Sequence, residues 1–217
     1  MGFDFGLAPD SLEWTILTIG HISVNKYWGE TERVRSALCT STLVRTDVGL
    51  VLVDPSVYPD KMSALLHDQA GVRPEDVQFV YLTHCHGDHR YGLQAFPHAK
   101  WLMAQAELDY WRERATPDER ALIERIEPAG AEPFAGVRAL HTPGHTPGTT
   151  SLILDWRDRR VAIAGDAVMT ESHFRARDGH SNSTDFGQVR DTIEQLAREM
   201  DIVVPGHGNA FAVAWTN

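Results

Sequence analysis

The sequence predicts a mixed α and β domain in which sheets are covered by helices. Three observations predict it. Short apolar or alternating runs recur in both halves of the 217 residues, each closed by Gly, Pro or Asp. Segments with apolar residues at helical spacing lie between them. No linker-like stretch divides the chain, so residues 1–217 read as one domain.

In order, strands are expected near Trp14–Ser23, Ala37–Arg45 and Leu50–Val53, with Tyr27–Arg35 a polar, aromatic loop. Lys61–Gln69 reads as a helix and Gln78–Thr83 as a β-rich run ending in a His-rich loop. Lys100–Met103 is a short strand, and Ala104–Arg114 and Asp118–Arg125 read as helices. The second half gives strands at Val137–His141, Thr150–Leu154 and Val161–Ala164. Gly187–Met200 is a helix with Val189, Ile193, Leu196 and Ala197 on one face, and Asp201–Val204 is a last strand.

Composition removes whole classes. Hydrophobic residues at 42% and charged residues at 23% are ordinary for a globular chain, and exclude a disordered tail, a collagen or a coiled coil. No apolar run is long enough to span a membrane. A formal net charge of −10, with no extended Lys/Arg cluster, argues against nucleic acid as a partner. The first residues lack the ordered regions of an export signal, and Cys39 and Cys85 make no disulfide framework. The expectation is a cytoplasmic protein acting on a small molecule.

The decisive segment is Thr83-His84-Cys85-His86-Gly87-Asp88-His89, which sets three His and one Asp within six positions just past an apolar strand. Imidazole and carboxylate are natural ligands of zinc and similar ions. One segment cannot close a metal site. Three partners each follow an apolar run in a Gly-rich turn: His145, Asp166 and His207. Cys85 stands between ligands and points the wrong way if its neighbours alternate, so its role is structural. His21, His67 and His98 have no partner pattern, and His141 reads as a strand end.

His84-x-His86-x-Asp88-His89, followed by His145, Asp166 and His207, resembles the metallo-β-lactamase-fold hydrolases over nearly the whole chain. The resemblance implies a four-layer αβ/βα sandwich of two mixed β-sheets, with the site at one rim. It implies two zinc ions, with iron or manganese as substitutes. His84, His86 and His145 would hold the first, Asp88, His89 and His207 the second, and Asp166 would bridge them. Asp54, in Val53-Asp54-Pro55, would orient a ligand imidazole. A hydroxide between the ions would attack the carbonyl of an ester, lactone, thioester or amide, with Asp88 aiming it. Seven ligands for two ions leave open positions, which favours catalysis over a closed structural site.

Departures narrow the family. Secreted β-lactamases carry an export signal and lack the bridging Asp. Glyoxalase II-type thioesterases add a helical domain after the last His, and nucleases add insertions or basic surfaces. Small lactonases and other single-domain hydrolases remain. The alternatives are a persulfide dioxygenase-like enzyme, with one iron on His84, His145 and Asp166, and a non-catalytic metal-binding module. Tyr27 and Trp28 are expected on the substrate side. Glu171, His173 and His180 are expected in a long solvated loop after Asp166 that borders the site; the other reading makes one of them, tested at His173, a leaving-group acid.

Overall fold

The computed structural model describes residues 12–213; the first residues, read above for an export signal, lie outside them. One sheet contains β1 (Glu13–Thr18), β2 (Ser41–Thr46), β3 (Gly49–Val53), β4 (Val77–Leu82), β5 (Lys100–Ala104) and β6 (Ile126–Ala129), paired in chain order. The other contains β7 (Val137–His141), β8 (Thr150–Trp156), β9 (Arg159–Gly165), β10 (Ile202–Pro205) and β11 (Phe211–Ala212), in the order β11-β10-β9-β8-β7. The helices are α1 (Pro59–Ala70), α2 (Gln105–Arg112), α3 (Pro117–Ile123), α4 (Glu171–Ala176) and α5 (Phe186–Glu199).

Alternation along the central strands builds the layers, because successive side chains leave opposite faces of a sheet. In β3, Val51 and Val53 face the second sheet while Leu52 packs toward the helices. Tyr81 in β4 points inward and Val80 and Leu82 outward. In β9, Val161 and Ile163 meet the first sheet, and Ala162 and Ala164 face outward. Met62 and Leu66 of α1, Leu108 and Trp111 of α2 and Ile123 of α3 cover the first sheet. Phe174 of α4 and Val189, Ile193 and Leu196 of α5 cover the second. The result is the αβ/βα sandwich of two mixed sheets that the resemblance implied. Each fully buried Val, Leu or Ile in it contributes about 1.5–3 kcal/mol.

Strand direction positions the functional rim. β3 and β4 are parallel, as are β9 and β10, so the carboxyl ends of each pair emerge side by side. Asp54 follows β3, His84 follows β4, Asp166 follows β9 and His207 lies just past β10. His145 stands in the turn between β7 and β8. That turn is tied to the start of α5 by the Asp185 N–H to Gly144 O (2.9 Å) and the Thr184 N–H to His145 O (3.1 Å).

The expected elements differ from the observed ones at several points. The first strand ends at Thr18, after a register irregularity between Ile16 and Thr18, and only a single bridge, His21 to Leu38, continues its path. The expected loop after Asp166 contains α4, where Thr170 caps the helix by accepting the His173 N–H. β6 and β11 have no strand signal of their own. Ile126-Glu127-Pro128-Ala129 is held extended by its parallel pairing with β5.

Candidate metal centre

The four segments converge. His84, His86, His145 and Asp166 form one group and Asp88, His89 and His207 another, each with donor atoms within 4.8 Å of one another. In the first, His86 Nδ1 lies 3.1 Å from His84 Nε2 and 2.8 Å from His145 Nε2. In the second, His207 Nε2 lies 3.6 Å from Asp88 Oδ2. Asp166 stands between them with its oxygens divided. Oδ2 is 3.2 Å from His145 Nε2 and 3.7 Å from His84 Nε2; Oδ1 is 3.2 Å from His89 Nε2 and 3.3 Å from His207 Nε2.

The donor set fits metal ions. Imidazole nitrogens bound tetrahedrally to one zinc stand roughly 3.3 Å apart, close to the spacings here. His89 Nε2 and Asp166 Oδ1 are buried without a hydrogen-bond partner, although buried polar atoms are nearly always satisfied. A cation between them accounts for both atoms.

The ring orientations are fixed from behind. Asp54 sits in the left-handed region (φ 52°) at the end of β3. Its Oδ2 accepts from His89 Nδ1 (2.8 Å) and from the Thr83 hydroxyl (2.7 Å), and its Oδ1 accepts from the Thr83 N–H (2.9 Å). Having donated to Asp54, the Thr83 hydroxyl can accept from His84 Nδ1 at 3.1 Å. His207 Nδ1 donates to Leu38 O at 2.8 Å. In all three, the partner at Nδ1 turns Nε2 toward the centre. Gly206 makes room for the shared acid, since a Cβ there would lie 1.9 Å from Asp166 Oδ1.

Burial and charge divide the imidazoles. Burial holds His84 and His86 below the usual range and pushes His145 down to about 3. Burial opposes charge on His207 and His89 too, but neighbours outweigh it: Asp166 raises His207, and Cys39, Asp166 and Asp54 raise His89. Asp166 is held well below the usual carboxylate range; burial works against this, and His207, His89 and His145 overcome it. The pocket thus draws positive charge to the shared acid, which is the charge a metal ion supplies when bound.

The residues expected on the substrate side lie in two neighbouring segments. His173 is completely buried, with Nδ1 2.8 Å from Thr170 Oγ1 and Nε2 without a partner. Burial, and then the Lys26 charge, push it down to about 4. Tyr27 caps it edge-on, with ring centroids 4.9 Å apart, and donates its hydroxyl to Asp178 (3.1 Å). Trp28 is exposed and stacks with Arg35. Cys85 belongs to neither ligand group; its N–H donates to Glu107. His67 is exposed beside Asp68, and His98 reaches Pro74 O.

Three participants carried no role in the sequence reading. Thr83 adjoins the motif, but its link between Asp54 and His84 exists only across paired strands. Cys39 packs with Asp54 and His89. Glu107 left a readable signal, because it shares the helical stripe of the apolar Leu108 and Trp111 and is buried with them.

The profile of the metallo-β-lactamase superfamily matches residues 36–207, which takes in every one of these ligands. The chain belongs to the metallo-β-lactamase superfamily. Among relatives of this superfamily member, metallo-β-lactamase domain-containing protein 1 of Xenopus laevis is 33% identical over 171 residues, covering 75% of this chain and 68% of that protein. An N-acyl homoserine lactonase of a Bacillus species is 30% identical over 150 residues. That alignment covers 64% of this chain and 59% of the lactonase. Two solved structures share the fold. AidC, a dizinc quorum-quenching lactonase, superposes with a TM-score of 0.74 at 17% identity, covering 97% of each chain. The AiiA protein of B. thuringiensis superposes at 0.70 with 19% identity, covering 93% of this chain and 94% of that one. No helix of the described residues is long and apolar enough to cross a membrane.

Proposed function

We propose that this superfamily member is a two-metal hydrolase of a small-molecule ester, lactone, thioester or amide. The observation that carries the reading is the divided carboxylate of Asp166, with Oδ2 3.2 Å from His145 and Oδ1 3.2 Å from His89. His84, His86 and His145 would hold the first ion, Asp88, His89 and His207 the second, and Asp166 would serve both. Zinc suits this mixture of imidazole and carboxylate, and iron or manganese can replace it. Bound there, the ions supply a water deprotonated near neutral pH and a Lewis acid for a carbonyl oxygen.

The chain's own residues do the rest. Asp54, directly and through Thr83, keeps the ligand rings aimed. Asp88, half-buried like His86, would accept a hydrogen bond from the attacking water and orient it. Burial of the surrounding imidazoles excludes bulk water and strengthens each electrostatic contact. Tyr27, Trp28 and His173 would lie on the substrate side, with the buried, neutral His173 ring able to offer the departing oxygen a hydrogen bond but no proton. A lactone is the first substrate to try, because relatives named N-acyl homoserine lactonases align over much of this chain.

Protein loaded separately with zinc, manganese and iron is assayed for metal content, for oxygen uptake, and against a panel of esters, lactones, thioesters and amides. Two zinc ions per chain with hydrolysis of at least one substrate class supports the reading. Oxygen uptake by iron-loaded protein with a persulfide would replace it with the dioxygenase. Full metal loading with no turnover would leave a binding module.

A further inference from the structure

Three carboxylates are buried among the described residues: Asp54, Asp166 and Glu107. The first two belong to the metal centre. Glu107 stands in the first turn of α2 and is completely buried. An ionised carboxylate is costly to bury unless its oxygens are satisfied, and both of these are. Oε1 accepts the Cys85 N–H at 2.9 Å and Oε2 accepts the Thr146 hydroxyl at 2.7 Å.

The two donors are the backbone neighbours of metal ligands. Cys85 lies between His84 and His86, and Thr146 follows His145. His86 and His145 are the pair whose donor nitrogens stand 2.8 Å apart. The turn that carries His145 is braced internally and packs closely on α2. The Thr146 N–H donates to Thr149 Oγ1 at 3.1 Å, and a Cβ at Gly148 would lie 2.3 Å from the Glu107 backbone nitrogen. The turn after β7 belongs to one sheet and the His-rich loop after β4 to the other. Glu107 therefore bridges the two sheets at the point where the first metal position is assembled.

We propose that Glu107 is a positioning residue for the first metal position, setting the separation of His86 and His145 by clamping the backbone beside each. The inference rests on the reading that these two imidazoles share one ion. Neither oxygen hydrogen-bonds a ligand ring, so the effect passes through loop geometry and, at His86, through the nearby carboxylate charge.

The test is cobalt binding followed by its visible absorption, which needs no substrate, with thermal unfolding in parallel. Glu107→Gln keeps one acceptor and loses the second, and Thr146→Val cuts one arm while leaving the carboxylate in place. Each should weaken binding at the first position about 10-fold and alter its spectrum, with smaller change at the second. In an active preparation kcat should fall more than KM rises. If both cobalt affinities and spectra are unchanged and only the unfolding temperature drops, Glu107 is a packing element and the proposal fails. Should Glu107→Gln not fold, Thr146→Val decides by the same readouts. A wild-type chain that takes up cobalt normally but hydrolyses nothing would overturn the hydrolase reading alone, and the cobalt comparison would stand.

Discussion

Asp54 Oδ2 accepts a hydrogen bond from His89 Nδ1 at 2.8 Å, and the same carboxylate takes both the backbone N–H and the hydroxyl of Thr83. One buried acid at the end of β3 thus aims His89 directly and His84 through Thr83. Asp54→Ala leaves three buried donors unpaired. At about 1–3 kcal/mol each, the loss of stability should exceed 3 kcal/mol. Metal affinity should fall about 10–100-fold. Chemical unfolding of the metal-free protein measures the first effect and competitive zinc titration the second; unchanged values for both would remove Asp54 from the account.

Asp166→Ala tests the division of the shared carboxylate. With both oxygens gone, the chain should lose at least one metal per molecule and nearly all hydrolysis. Elemental analysis after dialysis gives the count. Retention of two tightly held ions would show that the two positions do not depend on a common ligand.

Gly206→Ala adds one methyl group where only 1.9 Å separates the built Cβ from Asp166 Oδ1. The carboxylate must move or the turn after β10 must open. Either displaces a ligand, so activity should fall at least 100-fold with a modest loss of unfolding temperature. The comparison of kcat with unfolding temperature checks this, and an unaffected enzyme would mean the turn can relax.

His173→Ala should lower turnover while sparing metal content, since the residue follows Asp166 in α4 and belongs to neither ligand group. His67→Ala should alter neither, because that side chain is exposed and meets only Asp68. Unchanged kinetics in His173→Ala would retire its role at the leaving group.

Burial pushes the Cys39 thiol up to about 12 and raises Cys85 as well. The reactive form is the thiolate, so neither should label in the native protein at pH 8. Both should react after denaturation. The sign follows from linkage: thiols that ionise more readily when unfolded make native stability fall as pH rises through the ordinary thiol range. Counting thiols with a chromogenic disulfide in native and denatured protein checks the first claim, and rapid native labelling would contradict the burial.

Much of this protein is legible along the chain. The unbroken apolar run Leu50–Val53 announces a strand buried on both faces, and the spacing from His84 to His89 announces a metal-ligating donor set. Local chemistry suffices there, because side-chain period and ligand type are properties of neighbouring residues. The end of the first strand and the helix at Glu171–Ala176 were not legible. The one depends on where pairing stops, the other on a Thr170 cap and on packing of Phe174 against the second sheet.

The sequence by itself named the five imidazoles and two carboxylates that the fold brings together, and the strands that deliver them. Tertiary structure alone decided which oxygen of Asp166 faces which group, that Thr83 links Asp54 to His84, and that Glu107 joins the two sheets behind the ligands. The reason is physical. These relationships lie between atoms far apart in the chain, and they exist only when parallel strands bring their carboxyl ends to the same rim.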